Sequence, residues 1–364
     1  MLVLDSHCDS PSQMMRSRDF NKDNSWGQVD FPKLKAGGVD ASIFALYNAP
    51  ELSPDEATRY TLDMLAHLYD QLDATEGEVE LAFNSDEVLE NKANGLTSIL
   101  ISMENGAPIQ KSLSLLRMFY RMGVICMTLA HNGDNEICDS CAGNHRWGGL
   151  SPFGKEVVRE MNSLGMIVDI AHCSDDTVRD CLQISRAPIV STHSCCKALA
   201  SHRRNLSDEL LKAIAEKGGV VQINFCPSFL SDSFDVAMKE SGLGDRADAI
   251  EAEFIKDSTN PEKVAAWVEA QKELEAASRP SYKDVADHID HAVKVMGIDH
   301  VGVGTDYDGI LVAPEGLENV SKLPVLWEEL RRRGYSEGDI TKIAGGNFLR
   351  VLKEVEAVAS GANL

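Results

Sequence analysis

Long apolar runs are missing from this chain. No stretch approaches the roughly eighteen consecutive apolar residues of a membrane-crossing helix, and the first strand-like run begins almost at Met1, leaving no room for a basic and then apolar leader. The tail over 356–362 is too short and too polar for a lipid-anchor signal. The expectation is a cytoplasmic protein with no membrane anchor. Basic residues are scarce too: 35 Lys and Arg stand against 57 Asp and Glu, and the formal net charge of -22 repels nucleic acid and anionic lipid, so neither is expected as a partner. A disulfide framework is also lacking, because the nine cysteines are odd in number and scattered from Cys8 to Cys226, a distribution suited to a reducing compartment. Cys138-Asp139-Ser140-Cys141 has C-x-x-C spacing, yet no second pair or His-x-x-x-His completes a structural zinc site. Internal repeats and low-complexity tracts are absent.

What is present is an alternation. Apolar, β-branched runs at 2–6, 39–46, 98–103, 124–129, 167–171, 188–192, 220–224 and 301–305 are separated by helix-length amphipathic stretches, the order of βα units and a parallel sheet. Eight such runs in 364 residues predict an α/β fold, a closed (β/α)8 TIM barrel, with 1–364 forming one catalytic domain. Pro54-Asp55-Glu56 opens a helix, 154–164 ends at Gly165, and Ser174 and Ser207 cap helices over 175–184 and 208–216. The seventh and eighth runs are unusually far apart. The helix-prone stretches 246–256 and 261–277 between them predict an inserted lid or subunit contact over about 226–283. Helices over 324–333 and 336–356 close the chain, the last interrupted at Gly345-Gly346.

Strand ends are the functional address in such barrels. His7 and Asp9, Glu104, His172 and His193 each follow an apolar run, so five metal-ligand side chains share that address. Residues two apart in an extended segment point the same way, which lets His7 and Asp9 reach one ion while Cys8 faces away. Glu104 also reads as a helix cap or as a partner of Arg121, and a lone core histidine is ordinarily a hydrogen-bonder. Agreement among the five favours ligation. Carboxylates mixed with imidazoles suit zinc or another borderline ion, and two ions about 3.5–4 Å apart need a shared anion and activate a water between them. Glu104 is the candidate bridge and takes a catalytic part. Asp306, in Gly304-Thr305-Asp306-Tyr307-Asp308-Gly309, is placed to move a proton, and Asp308-Gly309 reads as the turn. His131 could polarise a carbonyl or be structural. Arg203-Arg204 offers a fork for a carboxylate or is a solvated pair.

Taken together, His7-Cys8-Asp9, Ser102-Met103-Glu104-Asn105-Gly106, Thr128-Leu129-Ala130-His131-Asn132, Leu150-Ser151-Pro152-Phe153-Gly154, Asp169-Ile170-Ala171-His172, Ser191-Thr192-His193-Ser194, Arg203-Arg204-Asn205 and the 304–309 segment resemble the membrane (renal) dipeptidase family of zinc metallopeptidases, in that family's order. The resemblance implies a TIM barrel of the metal-dependent amidohydrolase type with two zinc ions per chain, with His7 and Asp9 on one, His172 and His193 on the other, and Glu104 and a water or hydroxide bridging both. It also implies His131 as a substrate-contacting, catalytic residue, Arg204 as holder of the substrate carboxylate, and Asp306 as the acid/base in contact with substrate. The implied activity is hydrolysis of free dipeptides, including those ending in a D-residue, and a homodimer is expected by analogy. The alternative is another binuclear amidohydrolase, acting on lactones, phosphotriesters or cyclic amides. Cys195-Cys196 after His193-Ser194, and the long insertion, depart from the family pattern.

Overall fold

A computed structural model of the chain describes residues 1–16, 18–75 and 77–361. The strands are β1 (Leu4–Cys8), β2 (Ala41–Tyr47), β3 (Val79–Leu81), β4 (Thr97–Glu104), β5 (Val124–Thr128), β6 (Ile167–Asp169), β7 (Val190–Ser191), β8 (Val220–Ile223) and β9 (Val301–Val303). All pairings are parallel, in the order β1-β2-β4-β5-β6-β7-β8-β9. These eight coincide with the eight apolar runs read from the sequence and form the barrel wall. The ninth, β3, was not anticipated. It pairs with Thr97, Ser98 and Ile99 of β4, just before β5 takes up the partnership at Ile101.

The barrel closes without a regular β9–β1 ladder. Cys8 bridges Tyr307, the Asp9 amide donates to the Tyr307 carbonyl at 2.8 Å, and the Asp306 amide donates to the His7 carbonyl at 3.0 Å. Side chains complete the seam. Asp5 Oδ1 accepts from the Thr305 amide at 2.9 Å and Oδ2 from the Thr305 hydroxyl at 2.7 Å. Burial lifts the Asp5 carboxyl to about 6 even though these donors pull the other way. Glycine is required beside this seam: a Cβ on Gly304 would lie 1.8 Å from the Thr192 carbonyl oxygen, so only glycine lets β9 approach.

Alternation in β4 shows how the pleat delivers chemistry. Ile99, Ile101 and Met103 join the apolar layer shared with the surrounding helices, whereas Leu100 joins the inner cluster that Phe348, Val351 and Leu352 of the last helix plug from below. Ser102 and Glu104 continue the Leu100 face, so Glu104 reaches the open mouth of the barrel. Helix boundaries follow their caps. Ser174 accepts from the Thr177 amide ahead of Asp175–Ile184, Ser207 from the Leu210 amide ahead of Asp208–Glu216, and Gly165 (φ 82°) ends Pro152–Leu164. At Gly345 (φ 170°, ψ -19°) the backbone leaves helical values, so the closing helical stretch is kinked within 342–346, where the sequence placed its interruption.

Between β8 and β9 lie the helices Asp232–Ser241, Leu243–Lys256 and Pro261–Ala276. They have small apolar clusters of their own, Phe234 with Ala247 and Leu274, and Phe254 with Trp267 and Ala270. Trp26, from the segment after β1, packs edge-on against Phe254 at 5.7 Å, so the insertion leans on the barrel's first loop.

Asp308 does more than shape a turn. Its carboxylate accepts from Ser10 Oγ at 2.8 Å and the Gln28 amide at 2.9 Å, and pairs with Arg18, both side chains being almost fully buried. Removing one member of a buried pair leaves the other charge without compensation. Arg18→Met is therefore expected to lower unfolding stability by about 3 kcal/mol, read as a fall in the urea midpoint with little change in slope; a shift of a few tenths would show the pair to be energetically idle.

Candidate metal centre and active site

Five strand ends converge on the mouth of the barrel. Glu104, the last residue of β4, is 3% exposed and sits at the centre of the group. Its Oε1 lies 3.1 Å from His172 Nε2 and 3.4 Å from His193 Nε2, while its Oε2 lies 3.6 Å from His7 Nε2. His7 Nε2 is 3.7 Å from Asp9 Oδ2 and 3.9 Å from Asp306 Oδ1. The sequence-predicted ligand positions 7, 9, 104, 172 and 193 are thus brought together, with Asp306 beside them. Arg121, the other partner considered for Glu104, contacts the Met118 sulfur instead.

Local backbone explains several placements. Asp9 is not in the strand: it precedes the short helix Ser10–Met14, and a register shift between Asp5 and Cys8 turns the chain so that His7 and Asp9 still face one point. Gly309 makes room, since a Cβ there would lie 2.0 Å from Asp9 Oδ2. His172 (φ 63°) and Asp306 (φ 61°) adopt left-handed backbone, a conformation that costs energy outside glycine and that clusters at functional sites. Asp306 Oδ2 accepts from Asn224 Nδ2 at 2.9 Å, which leaves Oδ1 facing His7.

Electrostatics separate these groups into roles. For Glu104, burial raises the pKa, but the His7 charge and contacts from His172 and His193 outweigh it and hold the carboxyl well below its usual range. Burial alone would strip His7 of its proton; the charges of Glu104 and Asp9 reverse that and hold it well above ordinary imidazole. Burial drives His172 well down, helped by the Arg204 charge, and it lowers His193 as well. The result is an ionised carboxylate facing two uncharged imidazoles. His172 Nδ1 lies 3.1 Å from Asn132 Oδ1, a pure acceptor, so the proton sits on Nδ1 and Nε2 is bare. That bare nitrogen lies 3.0 Å from His193 Nε2.

A cation fits this arrangement. His7 Nε2, His7 Nδ1 and Asp9 Oδ1 are buried with no hydrogen-bond partner, and the acceptors around Glu104 face one another. Three ligand groups of suitable size can be drawn among the described residues: His7, Glu104 and His193; Glu104, His131 and His172; His7, Asp9 and Asp306.

Above the cluster opens a cavity of about 560 Å³, lined near the centre by Asp9, Tyr47, Glu104, His131, His172 and Asp306, and farther out by Phe234, Met238, Ile255 and Leu274 of the insertion. His131 borders it, packed edge-on to Tyr47 at 4.9 Å and 4.2 Å from the His172 ring; burial lowers its pKa. Arg203 is exposed, whereas Arg204 is 4% exposed, behind His193, with Nη2 donating to the His193 carbonyl at 3.0 Å and Nε lacking an acceptor. Two of the remaining histidines have structural partners: His288 accepts from the Cys196 amide at 3.0 Å, and His291 meets Asp208 at 2.7 Å. Cys195 and Cys196 are buried and hydrogen-bond to the Asn224 and His288 carbonyls. All nine cysteines are free thiols. No helix among the described residues is long and apolar enough to cross a membrane.

Tyr47 and Asn224 were not singled out from the sequence, and Asn132 entered only as part of the motif around His131. Their signal was position: each lies at or just past a strand end, and Tyr47 ends β2, a strand that carries no ligand candidate.

Acidic and imidazole side chains gathered at the carboxyl ends of a parallel barrel define a metal-dependent barrel hydrolase. The chain belongs to the membrane dipeptidase family, peptidase family M19, whose model matches residues 1–364. It is 33% identical to the dipeptidase aclJ of Aspergillus oryzae over 359 residues, 96% of this chain and 75% of that protein. Among solved structures it is similar to the probable dipeptidase PvdM of Pseudomonas aeruginosa (TM-score 0.84, 29% identity, 99% of this chain and 96% of the other). It is also similar to a metallo peptidase of Rhodobacter sphaeroides liganded with a phosphinate mimic of the dipeptide L-Ala-D-Ala (TM-score 0.80, 25% identity, 98% and 99%). The protein is a metal-dependent hydrolase with dipeptidase function.

Proposed function

We propose that this dipeptidase would hold two zinc ions, with His7 and Asp9 serving one, His172 and His193 the other, and Glu104 both. The observation that carries this reading is the division of Glu104: Oε1 faces the nitrogens of His172 and His193, and Oε2 faces His7. A mixed carboxylate and imidazole donor set suits zinc better than magnesium or calcium. When bound, such ions supply Lewis acidity and a water of lowered pKa.

The chain's own residues do the rest. Asp306, braced by Asn224 at Oδ2, takes a proton at Oδ1 and returns it to the departing amine. His131 stays uncharged through burial and donates to the carbonyl oxygen as negative charge develops there. Arg204 supplies the positive charge that holds the substrate carboxylate: its Nε–H is buried without an acceptor, and its charge already bears on His131 and His172. Phe234, Met238, Ile255 and Leu274 make the insertion an apolar outer wall, suited to an apolar side chain on the dipeptide. The whole of 1–364 then acts as one catalytic domain with the insertion as its lid. The ligand in the Rhodobacter neighbour supports including dipeptides with a C-terminal D-residue.

Metal quantification on purified protein, coupled to a panel of L,L- and L,D-dipeptides, their amides and a set of lactones, tests this. About two equivalents of zinc per chain are expected, with cleavage of free dipeptides and poor turnover of the amides. Equal kinetics on amides and free acids would remove Arg204 from its role, and lactone turnover without peptide cleavage would sink the reading.

A further inference from the structure

His193 is constrained by more than its place after β7. Its Nδ1 lies 2.9 Å from Thr192 Oγ1, and the same hydroxyl donates to Asp169 Oδ2 at 2.6 Å. Asp169 is surrounded by donors. Oδ1 accepts from the Thr192 amide at 2.9 Å and the Ala171 amide at 3.0 Å, and Oδ2 accepts from the Thr128 hydroxyl as well. All of these groups are buried.

Proton counting then fixes the imidazole. A hydroxyl has one hydrogen, and that of Thr192 goes to Asp169, so its oxygen can only accept from His193. The His193 proton therefore sits on Nδ1, and Nε2 presents a lone pair to the space beside Glu104 Oε1 and His172 Nε2. We infer that Asp169 and Thr192 form a carboxyl–hydroxyl–imidazole relay that sets the tautomer and ring orientation of His193, making both of them positioning residues of the metal centre. Asp169 thereby links three strands, since its partners follow from β5, β6 and β7. The device is repeated at the barrel seam, where Asp5 grips the amide and hydroxyl of Thr305, the residue before Asp306. His172 has a different side-chain support, a direct contact with Asn132, so removing the Thr192 hydroxyl leaves that contact in place and acts on His193.

This inference rests on the ligand assignment proposed above. Outer hydrogen bonds to a metal-bound imidazole are worth about 10–100-fold in metal affinity. With zinc as the probe and a chromophoric chelator as competitor, Thr192→Val in the full chain is expected to weaken one of the zinc equivalents by about that factor, and Thr192→Ser to restore it. Long-range ¹H–¹⁵N spectra of the metal-free wild type near neutral pH, with His193→Gln to assign the signal, should show His193 protonated at Nδ1. Both equivalents held by Thr192→Val as tightly as by wild type, or a wild-type His193 protonated at Nε2, would overturn the relay. Should Thr192→Val not fold, the wild-type spectrum and the retained affinity of Thr192→Ser decide the matter. A wild type that binds no zinc defeats the ligand assignment instead, and the tautomer, read without metal, keeps the two failures apart.

Discussion

Glu104→Gln is expected to cut zinc content sharply and to lower kcat/KM by on the order of 10³, equivalent to about 4 kcal/mol of barrier. The substitution keeps the shape and removes the charge that the proposed assignment shares between two ions. In the metal-free protein it removes the charge that compensates the buried His7, so apo stability should fall, and the rise in Tm on adding zinc should disappear as well. Calorimetry with and without zinc separates these effects; a variant with full metal content and only slightly reduced turnover would defeat the bridging role. The same charge governs pH dependence. Because Glu104 and Asp9 hold the His7 pKa well above that of ordinary imidazole, a metal must displace a proton from His7 to bind there. Occupancy is lost as pH falls, by about tenfold in apparent affinity per unit for one displaced proton. Glu104→Gln should flatten that slope.

Asp306→Asn should behave differently. Its partner Asn224 can pair with the new amide, and none of the five proposed ligands is touched, so metal content is expected to remain at the wild-type level. A general acid–base group contributes about 10²–10⁴ in rate, and that loss should fall on kcat with KM little altered. Metal analysis beside steady-state kinetics checks it: zinc lost together with activity would make Asp306 a ligand, whereas a kcat within a few-fold of wild type would remove it from proton transfer.

Why some of this was readable in advance can be seen residue by residue. The barrel strands announced themselves because strands buried on both faces are continuous apolar runs, and Glu104, His172 and His193 stood out as polar groups at the ends of such runs. β3 did not, because three residues that include an outward-facing Glu80 form no apolar run. Asp169 and Asp5 read as parts of strands; that each grips a threonine just before His193 or Asp306 depends on contacts 23 and 300 residues apart. Asp308 looked like a turn residue because its partner Arg18 lies 290 positions away. Arg203 and Arg204 were indistinguishable until one proved exposed and the other buried.

Side-chain type and its place at the end of an apolar run are local properties, and so the class of chemistry, the barrel and the identity of the metal-ligand candidates were determined by the amino-acid order alone. Which oxygen of Glu104 faces which imidazole, how Asp306 is braced, and what walls the cavity were decided only when the barrel closed. Hydrogen bonds and charges act over a few ångströms in space, and only the fold brings positions 7, 104, 193 and 306 within that reach.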